Sequence, residues 1–146
     1  MEQSTADYLM QLEKRIVVPY ISFPSSSAKL VLNVQSSDGN ESFLLDINRA
    51  GCIRISRCTL QERYGTTISL LRLDLDESKP HRNPDGVVIT GPHIHIYKEG
   101  YDDRWAYLLD DITPCPFSNT SDLITTFTEF CSYCNIKDIP AIQGSL

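Results

Sequence analysis

Lys29-Leu30-Val31-Leu32-Asn33-Val34-Gln35, then Ser36-Ser37-Asp38-Gly39-Asn40, then Ser42-Phe43-Leu44-Leu45-Asp46-Ile47 is the stretch that decides the fold. Leu30, Leu32 and Val34 alternate with more polar positions, the period of a strand with one dry face. Asp38-Gly39 supplies the positive φ of a tight hairpin. Phe43, Leu45 and Ile47 then alternate in the same way and leave Asp46 outward. Two strands joined by so short a turn must pair antiparallel.

Further along the chain, Asn48 to Gly51 reads as a turn and Cys52 to Arg63 as a long strand that Gly65 breaks. Ile68 to Leu75 is a strand with Leu71, Leu73 and Leu75 on one face. Glu77 to Gly86 is a polar loop, and Asn83-Pro84-Asp85-Gly86 has β-turn chemistry. Val87 to Ile89 is a short strand, His93 to Tyr97 a strand, Glu99 to Asp103 a turn and Arg104 to Leu109 the last strand. Trp105 shares a face with Tyr107 and Leu109, which places it in the core. Before the sheet, Ser4 to Ile16 reads as a helix capped by Ser4 or Thr5, with Leu9, Leu12 and Ile16 at helical spacing. Pro19 and the run Phe23-Pro24-Ser25-Ser26-Ser27 end it in a loop. After the sheet, Asn119-Thr120-Ser121 caps a helix from Asp122 to Cys134, and Pro140 ends the ordered part.

The expected fold is therefore α+β: a single antiparallel sheet of about six strands, with an N-terminal and a C-terminal helix packed on one face. It forms a single domain over residues 1–146, with helix and loop in 1–27, sheet in 28–111, the second helix in 112–140 and a tail in 141–146. The 146 residues suit one domain, and 41% hydrophobic content suffices for one core. Thirteen Lys and Arg against 19 Asp and Glu leave a formal charge of -6, which argues against coating nucleic acid through bulk charge. No apolar run has the length of a membrane span. Met1-Glu2-Gln3-Ser4 lacks a cationic start before an apolar stretch, so no secretory signal is expected. The five cysteines then read as reduced cytoplasmic thiols. Cys131 and Cys134 have C-x-x-C spacing but fall at the end of a helix, where the dipole does not favour a thiolate. They read as buried packing thiols.

Alternation also predicts a polar face. If Ile94 and Ile96 face the core, His93, His95 and Tyr97 face away together. By the same parity Arg72 and Asp74 point outward, as do Arg54, Ser56 and Cys58. The expected surface is open and partly cationic, and His81 returns to it from the loop that also carries Arg82. A solvated sheet face is the plain explanation. Chemistry is the alternative, because two of only three histidines stand together as H-x-H. Metal-independent RNA cleavage needs an acid, a base and cations near the phosphate. His93, His95, His81 and Tyr97 are the candidates for catalysis, and Arg54, Arg72, Arg82 and Asp74 for binding substrate. A metal held by His93, His95 and Asp74 is weaker on the sequence, so no metal and no cofactor are expected. No phosphate-binding, dinucleotide-binding or nucleophile-elbow motif is present.

The motifs Leu71-Arg72-Leu73-Asp74, His81-Arg82-Asn83-Pro84-Asp85-Gly86, Gly91 to Tyr101 and Asp103-Arg104-Trp105-Ala106-Tyr107 resemble an uncharacterised family of short bacterial and prophage-encoded proteins. An Arg-bearing strand followed by Pro92-His93-Ile94-His95 is also similar to small toxins of toxin–antitoxin modules. The resemblance implies a mobile-element, phage or defence setting in a bacterial cytoplasm. The partner expected from the chemistry of the face and from the charge balance is RNA or a host protein, with a cognate antitoxin for the toxin-like case. The acidic balance fits a further reading, in which a non-enzymatic phage protein presents carboxylates to a host nucleic-acid-binding protein. Asp74-Asp76-Glu77 and Asp102-Asp103 would carry that contact.

Overall fold

A computed structural model describes residues 1–25, 27–49, 58–76 and 78–143. Helix α1 spans Gln3–Gln11, followed by strands β1 (Lys14–Ile16) and β2 (Tyr20–Ser22). The hairpin of the opening stretch is β3 (Lys29–Ser36) and β4 (Ser42–Asn48), and Gly39 takes φ +79° in its turn. Strands β5 (Thr59–Tyr64) and β6 (Ile68–Asp74) form the next hairpin, around Gly65 at φ +61°. The short strands β7 (His81–Arg82) and β8 (Val88–Ile89) precede β9 (His93–Ile96) and β10 (Ala106–Leu108). A 3-10 turn (Leu109–Asp111), helix α2 (Leu123–Tyr133) and strand β11 (Ala141–Gln143) complete the order.

The class is α+β, as expected, but among the described residues the main sheet has seven strands, in the order β1-β3-β4-β5-β6-β9-β10. All its pairings are antiparallel. It is also not the only sheet: β7 pairs with β8, and β11 pairs parallel with β2. Residues 141–143 are thus a strand, where the sequence reading placed a tail. The expected first helix is also too long. It stops at Gln11, and Ile16 lies in β1 opposite Val34. Glu2 stands at its N-cap without a side-chain cap, whereas Asp122 caps α2 by accepting from the Thr125 amide. Among the described residues no helix is long and apolar enough to cross a membrane.

Register builds the core in rows. Leu30, Ile47, Leu60, Leu73 and Ile94 stand side by side across successive strands, and all but Leu30 are fully buried. Each fully buried side chain of this size contributes about 1.5–3 kcal/mol relative to exposure. Ala6 and Leu9 of α1, and Leu123, Phe127 and Phe130 of α2, join the same hydrophobic cluster. Trp105 does not, contrary to expectation. It is only half-buried and stands edge-on to Tyr101 with ring centroids 5.9 Å apart.

The adjacent row contains an exception. Leu32, Leu45, Glu62, Leu71 and Ile96 align, which puts a carboxylate among leucines. Its partner is Lys14 of β1, 3.6 Å away, and neither side chain is more than 1% exposed. The Lys14 ammonium also donates to the carbonyls of Cys134 (2.8 Å) and Met10 (3.1 Å) and lies 5.0 Å from the centre of the Phe43 ring. Burial pushes Glu62 up and Lys14 down from their ordinary pKa values, and their mutual attraction opposes both shifts. Cys131 and Cys134 lie beside this pair, buried, with burial pushing both thiols up. They are packing thiols, as expected, while Cys115 is exposed.

Removing one member of such a pair strands the other in the core. Lys14→Met is expected to cost about 3–5 kcal/mol in urea denaturation. The double variant Lys14→Met/Glu62→Leu should recover most of that loss. Equal costs for the single and double variants would show that the two groups do not depend on each other.

Candidate functional site

The second face of the sheet follows from the same register. Val31, Asp46, Gln61, Arg72 and His95 form one outward row, and Lys29, Asn48, Thr59, Asp74 and His93 the next. Parity thus brings Arg72, Asp74, His93 and His95 together, as the sequence predicted. Cys58 has the opposite parity and is buried in the core. Arg54 lies outside the described residues.

His81 completes a cluster. Its ring centroid is 4.7 Å from that of His95 and 5.7 Å from that of His93, and the latter two are 5.0 Å apart. All three histidines of the chain meet here. The expected return of the loop to the sheet is therefore observed. The openness of the face is not. His93 and His95 are each only 2% exposed, because His81 on the β7–β8 hairpin and the segment after β9 cover them.

Hydrogen bonds fix the rings. A ring nitrogen that faces a carbonyl must carry the hydrogen. His95 Nδ1 donates to the Asp103 carbonyl, His93 Nδ1 to the Gly91 carbonyl and His81 Nε2 to the Arg104 carbonyl, each at 2.8 Å. His95 Nε2 is then an acceptor, and Arg72 Nη2 approaches it at 3.3 Å. Burial first, and then the Arg72 charge, hold the His95 pKa down to about 4. His95 is therefore a neutral acceptor near pH 7 and not a proton donor. His93 Nε2 lies 3.8 Å from Asp74 Oδ2. Among the described residues no group of three or more His, Cys, Asp or Glu is arranged to hold a metal ion. At His95 the nitrogen that the carbonyl bond leaves open is faced by the Arg72 guanidinium.

The remaining candidates separate. Arg72 does join the cluster, but its Nη1 lies 3.1 Å from Asp103, so the guanidinium is already matched by a carboxylate. Arg82 neighbours His81 on β7 and so points the other way, donating to the Gly86 carbonyl on the exposed hairpin. Tyr97 lies just beyond β9, is buried, and donates its hydroxyl to the Met1 carbonyl at 2.7 Å. It is not grouped with the imidazoles. The acidic run at Asp74 and Asp76 is also partly spent: Asp74 accepts from the Asp76 amide, and Asp76 from Ser78.

Two residues that the sequence reading did not single out for the site organise it. Asp103 anchors Arg72 by its side chain and His95 by its carbonyl. Asn83 does for the hairpin what a neighbouring strand would do. Its carboxamide donates to the Ala106 carbonyl and accepts from the Ala106 amide, both at 2.9 Å. A side-chain amide reproduces a peptide group, and this is the signal that an Asn in turn position conceals. Two shallow hollows flank the cluster on the open face. One of about 360 Å³ is bounded by Gln61, Ser69, Tyr97, Asp102 and Asp103, the other of about 260 Å³ by Val31, Asp46, Asn48, Thr59 and Arg63.

Asn83→Ala would leave the Ala106 amide and carbonyl unpaired at a buried position. The expected cost is about 1–3 kcal/mol of local stability, read as faster hydrogen exchange at Ala106. Unchanged exchange there would mean that the hairpin is held by other contacts.

No curated protein and no solved structure matches the chain. A family model does match, over residues 1–136. The resemblance to an uncharacterised family is thereby borne out at the level of the family. The chain belongs to the family of unknown function DUF6978.

Proposed function

We propose that the protein works by binding: a non-enzymatic acidic protein that engages a host nucleic-acid-binding protein, in the cytoplasmic phage–host setting that its resemblance implies. The observation that carries this reading is the fate of its arginines. Every described arginine is already engaged. Arg15 pairs with Asp138, Arg63 with Asp46 and Arg72 with Asp103. Arg49, Arg82 and Arg104 donate to backbone carbonyls. A phosphate arriving at Arg63 or Arg72 on the sheet would have to displace a carboxylate, against a net charge of -6. Exposed carboxylates such as Asp102, Asp110 and Asp111 face no such conflict with a cationic partner. The reading takes both helices to pack on the core face, which leaves the opposite face of the central strands to the partner.

A second reading is a toxin-like, metal-independent ribonuclease, with a cognate antitoxin as partner. The meeting of His81, His93 and His95 beside Arg72 favours it. His81 would then be the exchanging group, since it alone of the three is half-exposed. One pair of assays separates the readings. Incubated with a bacterial lysate at low salt, the binding protein retains a host protein that about 0.5 M salt releases, because screening removes most of the attraction between exposed charges. It also leaves RNA intact. No retained protein at low salt, together with RNA cleavage that His81→Gln abolishes, would overturn binding in favour of catalysis.

A further inference from the structure

We propose that the histidine cluster is an acid-sensitive latch, which holds the β7–β8 hairpin closed over the sheet at neutral pH and releases it on acidification while the main sheet persists. The inference is independent of which partner the protein binds.

The geometry supplies the reason. Three imidazoles stand within 5.7 Å of one another, ring to ring, and two are sealed from water. Neutral rings pack well at that distance, whereas charged ones repel in a dry setting. The charged neighbours come from every element around them. Strand β6 contributes Arg72 and Asp74, and the turn between β9 and β10 contributes Asp103 and Arg104. Strand β7 brings His81, and β9 brings His93 and His95. Asp103 is matched by Arg72, and the Arg104 guanidinium turns to the carbonyls of Gly100 and Tyr101. That leaves Asp74, which also accepts from the Asp76 amide, as the carboxylate beside His93. A proton added at His95 meets the Arg72 guanidinium.

The direction of the effect follows from linkage. His95 titrates near 6.5 when exposed and near 4 when sealed. Between those values the open form binds more protons than the closed form. Closure therefore loses stability as pH falls through that window. The latch is also confined to one place. His81 holds the Arg104 carbonyl, and Asn83 brackets Ala106, so the hairpin grips the residues on either side of Trp105. The core rows under β3 to β6 contain no histidine and have no reason to respond.

Trp105 is the only tryptophan, so its fluorescence reports on the latch, while far-ultraviolet circular dichroism reports on the sheet. In an acid titration of the wild-type protein, Trp105 should change between pH 6.5 and 4 with the dichroism unaltered. In His95→Gln and in His81→Gln, which keep a side-chain N–H donor but cannot charge, the change should shift down by roughly one pH unit or vanish. The carboxylates are the same in all three proteins, so a shift belongs to the imidazoles. The proposal fails if Trp105 responds only together with loss of dichroism, if it does not respond above pH 4, or if the variants titrate like the wild type. Should His95→Gln not fold at neutral pH, His81→Gln decides the matter, since that ring is half-exposed.

Discussion

The fold depends on one buried charge pair. Glu62 lies in a row of leucines with Lys14 against it, and both are fully enclosed. Burying two ions costs several kcal/mol each before attraction is counted. The structure offsets this by giving the ammonium two carbonyl acceptors, an aromatic face and the attraction of a carboxylate 3.6 Å away. Those groups come from different parts of the chain. Met10 belongs to the last turns of α1, Cys134 closes α2, Glu62 sits in β5 and Phe43 in β4. A single side chain thus ties the edge strand β1 to both helices and to the centre of the sheet. An apolar replacement could match the energy, but it would not fix which helix end meets which strand. Directional donors fix the register of a contact in a way that a greasy surface does not.

The same economy shapes the opposite face. Alternation places Arg72, Asp74, His93 and His95 there regardless of what covers them. Covering them is the work of the hairpin, which is too short to be stable alone. It docks through side chains imitating backbone: Asn83 continues the ladder beyond β10, and His81 takes the carbonyl next in line. The edge strand β10 is consequently not an open template for further pairing at Ala106.

Much of this was legible in the sequence. Strands β3, β4, β6 and β9 show plain alternation, and their expected bounds fall within a residue or so of those observed. The grouping of Arg72, Asp74, His93 and His95 follows from the period of two alone, and the return of His81 from its place in the loop before that strand. What failed has physical causes. Strand β1 was read as helix because its inward residue is Lys14, which any hydropathy pattern scores as polar. The next residue inward, Ile16, also satisfied a helical spacing. The parity that Ile53 and Ile55 predict puts Cys58 outward, and those two residues lie outside the described ones. The shielding of His93 and His95 and the pairing of Arg72 with Asp103 are long-range contacts. Alternation says which side of a sheet a residue takes, and nothing about what packs upon it.

That distinction bears directly on function. A histidine's type and position suggest proton transfer, but its environment decides whether it can perform it. His95 has one nitrogen committed to a carbonyl and the other faced by a guanidinium, so it neither donates nor accepts a proton readily near pH 7. Arg72, the cation best placed to hold a phosphate, is neutralised by Asp103 before any ligand arrives. A catalytic site keeps such groups available and spends stability to do so. Here they are satisfied by one another, which is what the proposed latch requires. In the binding reading we propose, contact with a partner falls to the exposed carboxylates and to the outward rows of the central strands.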